Sequence, residues 1–251
     1  LAEPAVLIDL GKISTLSYIN EQDGGLAIGA MTTYSEIAGS ELVQSNAPVL
    51  AEASGQVADN QIRNRGTIGG SLSHSDPAGD LPAVALALGA QLTTSSSGAH
   101  RTISADDFFV DLLTTALEPN EILSEIVIPA LPAGTGTAYA KFANKASHYA
   151  VVGVAAVVTV GSDGTCQSAR IGITGAGPKA TRATGTESAL VGSNLDDSAV
   201  RAAASHAGDG IDFNEDVHAS GEYRAHLISV YAARAIRAAV ENAHGDRRAC
   251  R

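Results

Sequence analysis

Residues 65–80 read Arg65-Gly66-Thr67-Ile68-Gly69-Gly70-Ser71-Leu72-Ser73-His74-Ser75-Asp76-Pro77-Ala78-Gly79-Asp80. Gly66, Gly69 and Gly70 stand too close together for a helix interior. Glycine admits positive φ and lets another group approach the backbone, and successive N–H groups in such a turn form an anion nest. The segment is therefore either a loop that grips a phosphate or a cofactor edge, or a tight turn between strands. It is not a phosphate-binding P-loop, because no Lys-Ser/Thr follows. It is not the G-x-G-x-x-G dinucleotide fingerprint either. Asp76 and Asp80 are also open to two readings. One of them can accept hydrogen bonds from ribose-type hydroxyls, or Asp76 starts a turn and Asp80 caps the helix that follows.

Upstream, Ala5–Leu10 is rich in branched residues between Pro4 and Gly11 and predicts a strand, as does Leu26–Ala30 after Asp23-Gly24-Gly25. Thr33-x-x-Glu36 is a capping box, and the helix it opens should run to about Glu41 or Leu42. Pro48–Val57 predicts a helix with Val49, Leu50, Ala53 and Val57 on one face. Downstream come a helix over Leu81–Leu88, short strands at Gln91–Thr94 and Thr102–Ile103, and a strand at Ile122–Ile128. The Pro/Gly-rich stretch Pro129–Gly136 marks a domain boundary. Tyr139–Phe142, the apolar run Tyr149–Val160 and Cys166–Thr174 then predict an antiparallel meander, with Asp163-Gly164 as a hairpin turn. Helices are expected at Thr181–Leu190, Asp196–His206 and Arg224–Asn242, and a frayed tail at Asp246–Arg251. Strands followed by helices make the second half α+β.

The chain has 251 residues, 45% hydrophobic and 17% charged, enough apolar surface for one large domain or two modest ones. No run of about 18 apolar residues occurs, so no transmembrane helix is expected. A net charge of -11 argues against a general nucleic-acid binder. It does not exclude an anionic ligand held by backbone amides. Cys166 and Cys250 cannot form a structural zinc site or an iron–sulfur cluster by themselves, and a disulfide scaffold is not expected, as befits the cytoplasm. No metal site is expected in this chain. His74, His148 and His218 are scattered, and no Ser/His/Asp arrangement or acid–base pair can be defended. No catalytic residue is assigned.

Taken together, Arg65–Ser71 and Asp76–Leu81 resemble the second flavin-binding segment of the FAD-containing medium subunit of molybdenum hydroxylases, the xanthine dehydrogenase and aerobic carbon monoxide dehydrogenase family. Gly29-Ala30-Met31-Thr32-Thr33, Leu117-Glu118-Pro119-Asn120-Glu121-Ile122-Leu123, Tyr139-Ala140-Lys141, Tyr149–Ala155 and Asp216–Arg224 extend the resemblance, in order, over nearly the whole chain. It implies an α+β fold: a PCMH-type FAD-binding domain over residues 1–132, then an α+β C-terminal domain over 133–245. The family's earlier "AGG-x-S" flavin motif lies before the strand that here begins at Ala5. A first lobe is therefore expected to precede Leu1.

The resemblance also assigns the cofactor contacts. Thr67, Ile68, Gly69, Gly70 and Ser71 match the loop that touches FAD, and Asp80 matches a carboxylate that binds its hydroxyl-bearing chain. Leu123 matches an apolar residue against the cofactor, with Val57 on the opposing wall. Lys141 matches a lysine near the flavin, where a positive charge favours the anionic reduced ring. Tyr149 falls where an aromatic residue covers the isoalloxazine. The implied function is that of an electron-transfer subunit. Its partners would be a large subunit with the molybdenum cofactor and a small subunit with [2Fe-2S] clusters, in a dimer of heterotrimers. Electrons would leave the flavin for an external acceptor. A carbon monoxide dehydrogenase type is preferred, in the cytoplasm, associated with the inner face of the membrane through the acceptor. A stand-alone PCMH-type flavin oxidoreductase and a scaffold subunit that has lost FAD are the alternatives.

Overall fold

Asp23 and Gly24 both hold positive φ, at 50° and 76°. That pair closes a hairpin between Ile19–Gln22 (β1) and Gly25–Gly29 (β2). The computed structural model describes residues 5–245. After β2, the Thr33 hydroxyl accepts the Glu36 N–H and the Glu36 carboxylate accepts the Thr33 N–H, the complete capping box of Tyr34–Gly39 (α1). The expected run to Glu41 or Leu42 is interrupted. Ser40 is extended and its hydroxyl accepts the Val43 N–H, so it ends α1 and caps a second helix, Glu41–Asn46 (α2). Pro48, whose missing N–H costs nothing in a first turn, opens Pro48–Gly55 (α3).

Three further helices follow: Asn60–Arg63 (α4), Ile68–His74 (α5) and Asp80–Leu88 (α6). Gln91–Ser96 (β3) and Ala99–Ser104 (β4) form a hairpin. Ala105–Phe108 (α7) leads into a small ribbon of Phe109–Asp111 (β5) and Thr114–Thr115 (β6). Ile122–Ile128 (β7) then enters between β2 and β3, giving an antiparallel sheet of order β1-β2-β7-β3-β4.

A two-point clamp joins Arg101 on β4 to Glu121, the residue before β7, across the intervening β3. Arg101 donates from Nε to Glu121 Oε1 at 2.7 Å and from Nη2 to Oε2 at 2.8 Å. Hydrogen bonds from Arg101, then from the Glu118 N–H, bring the Glu121 carboxyl down to about 2. A depressed carboxyl stabilises the fold above its unfolded pKa and loses that contribution as pH falls through the folded value. Arg101→Ala is therefore expected to return Glu121 towards the usual ~4.3, read by NMR titration of its side-chain carboxyl. A value still near 2 would assign the depression to the remaining donors, the Glu118 N–H and the Thr94 hydroxyl.

The second sheet contains Thr135–Ala143 (β8), Ala150–Val160 (β9), Cys166–Thr174 (β10) and Thr181–Arg182 (β11), ordered β11-β10-β9-β8 and antiparallel throughout. Thr184–Leu190 (α8), Asp197–Ala204 (α9) and Gly221–Ala243 (α10) follow. The helix expected from Thr181 starts later because Thr181 and Arg182 pair with β10. Strand β9 is buried from Ala150 to Thr159, since α10 packs against it as well as α6. A strand covered on both faces is uniformly apolar rather than alternating.

Two cores result. One gathers β2, β7, α3, α5 and α6 and includes Tyr139, Ala155 and Val157 from the second sheet. The other lies between the second sheet and α8–α10. Arg170 on β10 spans them, donating to Leu86 O and to Asp106 Oδ1, each at 2.8 Å.

Ala5–Leu10 does not form the expected strand. It pairs with nothing among the described residues, and Val6, Leu7 and Ile8 are 74%, 87% and 81% exposed. Branched residues favour a strand only where an edge and a covered face receive them. The tail Asp246–Arg251, with Cys250, lies outside the described residues. No described helix is long and apolar enough to cross a membrane.

Candidate functional site

A cleft of about 520 Å3 opens between α5, the α3–α4 connection and the loop before β9. That volume is within the ~300–1,000 Å3 usual for small-molecule sites. Met31, Tyr34, Val57, Ala58 and Ile62 supply apolar surface, while Thr67, Ser71, Asp76, Asp80 and Tyr149 supply polar atoms. A polar neighbour of about 390 Å3 shares Asp76, Ser147 and Tyr149 with it.

Gly66 lies in a loop, as expected, but Gly69 and Gly70 are helical. Thr67 is extended and caps α5, its hydroxyl accepting the Gly70 N–H at 3.1 Å. The Ile68 N–H goes to Thr32 O at 3.0 Å, that of Gly69 to Ala30 O at 2.8 Å, and that of Ser71 to Thr67 O at 3.0 Å. With these amides paired inside the chain, there is no anion nest. The glycines serve close approach instead. A Cβ on Gly69 would stand 2.5 Å from the Ala30 Cβ, so α5 can lie on the β2–α1 connection only without one. At Gly70 a Cβ would meet only the Thr67 hydroxyl, at 2.9 Å, and otherwise faces the cleft.

Asp76–Asp80 is held from the other half of the chain. Asp76 Oδ1 accepts the Ala78 N–H at 2.8 Å, the turn that its position predicted. The Thr174 hydroxyl donates to Pro77 O at 2.9 Å or Gly79 O at 2.7 Å, and the Gly175 N–H to Pro77 O at 2.6 Å. Asp80 is not a cap, because Gly79 holds that place and Asp80 is already the first helical residue. Its carboxylate sits at the cleft floor, side chain 4% exposed, beside a Lys141 side chain that is 3% exposed. Lys141 Nζ donates to Asp80 Oδ2 at 2.8 Å and the Tyr139 hydroxyl to Oδ1 at 2.5 Å. Burial pushes the Asp80 carboxyl up, opposed by Lys141 and then Tyr139.

Among the residues singled out from sequence, Val57, Thr67, Gly70, Ser71, Asp80 and Tyr149 line the cleft. Ile68 and Gly69 lie behind it, buried against the core. Leu123 is on β7 in that same core, away from the lining. Lys141 stands behind Asp80, so its charge meets that carboxylate before it meets the cleft. Met31, Tyr34, Ala58, Ile62, Arg65, Gly66, His74, Gly79, Ser147 and His148 also line it and were not singled out as contacts. Ile62 had one usable signal, an apolar side chain on a four-residue helix with no core face, where it is 50% exposed.

The site suits a group that is flat and apolar in part and hydroxylated in part. One wall is hydrocarbon, a bare Gly70 admits close contact, and a buried carboxylate offers acceptors to hydroxyls. Residues 1–131 match the family of FAD binding domains in molybdopterin dehydrogenases, and residues 137–239 match the CO dehydrogenase flavoprotein C-terminal domain. The chain is 39% identical over 238 residues to the carbon monoxide dehydrogenase medium chain of Hydrogenophaga pseudoflava, covering 95% of this chain and 83% of that one. It is 37% identical over 243 residues to the 6-hydroxypseudooxynicotine dehydrogenase complex subunit alpha of Paenarthrobacter nicotinovorans, covering 97% and 82%. The solved carbon monoxide dehydrogenase from H. pseudoflava that lacks the Mo-pyranopterin moiety of its cofactor superposes with a TM-score of 0.91 at 40% identity, covering 95% of this chain and 83% of that one. Matches of this extent, on a fold whose cleft suits a flavin, show that the chain belongs to the FAD-binding medium subunits of the molybdenum hydroxylases.

Proposed function

We propose that the cleft holds FAD and that this subunit passes electrons from iron–sulfur clusters of a partner to an external acceptor. The observation that carries the reading is the buried Asp80 carboxylate at the floor of a cleft with an apolar wall. The chemistry that a bound flavin supplies is uptake and release of two electrons. The chain's own part is to bind and orient. Val57 and Tyr149 flank the ring system, and Thr67, Gly70 and Ser71 line the approach of the dinucleotide, with Ile68 and Gly69 behind them holding α5 in place. Asp80 accepts hydrogen bonds from the hydroxylated chain, Lys141 fixes Asp80, and Leu123 supports that wall through the core. The polar cleft that shares Tyr149 gives an acceptor a route to the same site.

The partners in this reading are a large molybdenum subunit and a small [2Fe-2S] subunit, in a dimer of heterotrimers. The complex is of the carbon monoxide dehydrogenase type, cytoplasmic and associated with the inner face of the membrane through its acceptor. Residues 1–132 form the flavin domain and 133–245 the C-terminal domain.

The test is to purify the chain with its partner subunits and record its visible spectrum. A flavin band that the substrate bleaches as it is oxidised, and only when the partners are present, is expected. An intact complex without flavin would sink the reading in favour of a scaffold. Bleaching by substrate in the isolated subunit would favour a stand-alone flavin enzyme.

A further inference from the structure

Asp80 faces the cleft, yet its carboxylate is almost fully buried. A buried carboxylate persists only when donors reach it. Here each oxygen receives one donor from the protein side, Tyr139 on Oδ1 and Lys141 on Oδ2. A carboxylate oxygen has two acceptor sites, so each oxygen keeps one that neither Tyr139 nor Lys141 fills, in a residue that lines the cleft. Two acceptors side by side match two hydroxyl donors on a polyol chain. They do not match a phosphate, which has no donors at neutral pH and is repelled by the carboxylate.

Tyr139 is placed for this from a distance. Its backbone N–H donates to Glu52 Oε2 at 2.9 Å, tying β8 to α3. On the neighbouring strand, Ala155 stands opposite Tyr139 and Gly153 opposite Lys141. Tyr139 thus leans diagonally across Gly153. A Cβ on Gly153 would overlap the Tyr139 hydroxyl and lie 2.8 Å from Thr174 Cγ2. Glycine inside a long apolar strand marks such a close approach, and here the group that approaches is the phenol bonded to Asp80. Packing alone does not require that hydroxyl, because a phenylalanine ring would fill the same space.

We propose that Tyr139 is a positioning residue that aims Asp80 at the hydroxylated chain of the cofactor, and that Gly153 exists to admit its hydroxyl. The inference rests on the reading above, that Asp80 receives the FAD chain. Its test is a double-mutant cycle on the complete complex, stripped of flavin and titrated with FAD, with binding followed by quenching of flavin fluorescence. Tyr139→Phe is expected to weaken FAD binding about 10-fold, the scale of one hydrogen bond to a charged group. Gly153→Ala, which keeps the ring but displaces the hydroxyl, is expected to give a similar loss. In an Asp80→Asn background, Tyr139→Phe is expected to add less than 2-fold, since a residue acting through Asp80 has little left to act on. A merely structural tyrosine would add its full loss in both backgrounds, which overturns the proposal. So does unchanged affinity in Tyr139→Phe when Asp80→Asn weakens binding. Unchanged affinity in Asp80→Asn itself would instead remove the assignment of Asp80 to the cofactor, and this inference with it.

Discussion

Gly70→Val is expected to strip FAD from the complex while the subunit stays folded, and Gly69→Val, one residue earlier, to damage the fold itself. Both glycines occupy the first turn of α5, and neither has a positive φ. What differs is the neighbour. At Gly69 an added Cβ would lie 2.5 Å from the Ala30 Cβ and 2.6 Å from Ala30 O, the acceptor of the Gly69 N–H. Helix α5 would have to leave the β2–α1 connection, at a cost on the order of 3 kcal/mol. At roughly 2–4 °C per kcal/mol, the melting temperature should fall by about 10 °C. At Gly70 a new Cβ meets only the Thr67 hydroxyl, at 2.9 Å, so the α5 cap must shift at a cost of about 1 kcal/mol, and valine in place of glycine costs the helix nothing in propensity. Its methyls would instead fill the cleft. Flavin content and thermal melting of the two variants separate the effects. Full flavin in Gly70→Val would move the cofactor off this helix, and an unchanged melt in Gly69→Val would refute the close-approach argument.

Lys141→Met is expected to destabilise the protein by about 3–5 kcal/mol at neutral pH, because it leaves a buried carboxylate without its cation. The effect should shrink on acidification. A carboxyl whose pKa is raised in the folded state binds more protons folded than unfolded. Its contribution to stability is therefore full below the unfolded pKa and lost as pH rises through the folded value. Burial already pushes Asp80 in that direction, and Lys141 is the main opposing influence. Without Lys141 the folded value rises further, and protonation relieves the strain sooner. The gap in melting temperature between Lys141→Met and the parent should narrow between pH 7 and pH 5. A gap that is constant or widens as pH falls would show that the pair is not the source of the loss. The bound flavin offers a second readout. Lys141 and Asp80 together present no net charge to the cleft. Removing the lysine leaves a negative one, which should lower the flavin midpoint potential at neutral pH and much less at acid pH.

Much of the fold was legible where its cause is local. The Thr33–Glu36 capping box, the Asp23-Gly24 turn and the Asp163-Gly164 turn involve residues a few positions apart, so spacing and residue type suffice. The long strand Ala150–Val160 was legible because burial on both faces leaves an uninterrupted apolar run. The site was legible as a set of positions carried by resemblance, and Val57, Thr67, Gly70, Ser71, Asp80 and Tyr149 do meet at one cleft.

The misreadings have several causes, some local and some not. Gly66 does stand in a loop, but Gly69 and Gly70 looked like one too because glycine weakens an isolated helix. The Thr67 cap and the Ala30 carbonyl, on another element, make a helix there. Ala5–Leu10 looked like a strand because branched residues favour one, but no edge receives it among the described residues. Ser40 split one expected helix into two by capping the second.

By itself, then, the sequence determined most of the longer elements, because periodicity, turns and caps are written in neighbouring residues, while the two-part α+β architecture and the family came through the resemblance its motifs carry. Only the tertiary structure decided how Asp80 is used. Its partner Tyr139 is 59 residues away and Lys141 is 61. The glycine that makes room for Tyr139 lies on another strand. Burial and hydrogen-bond partners across such separations depend on how the two sheets close on α6, and no local pattern records that.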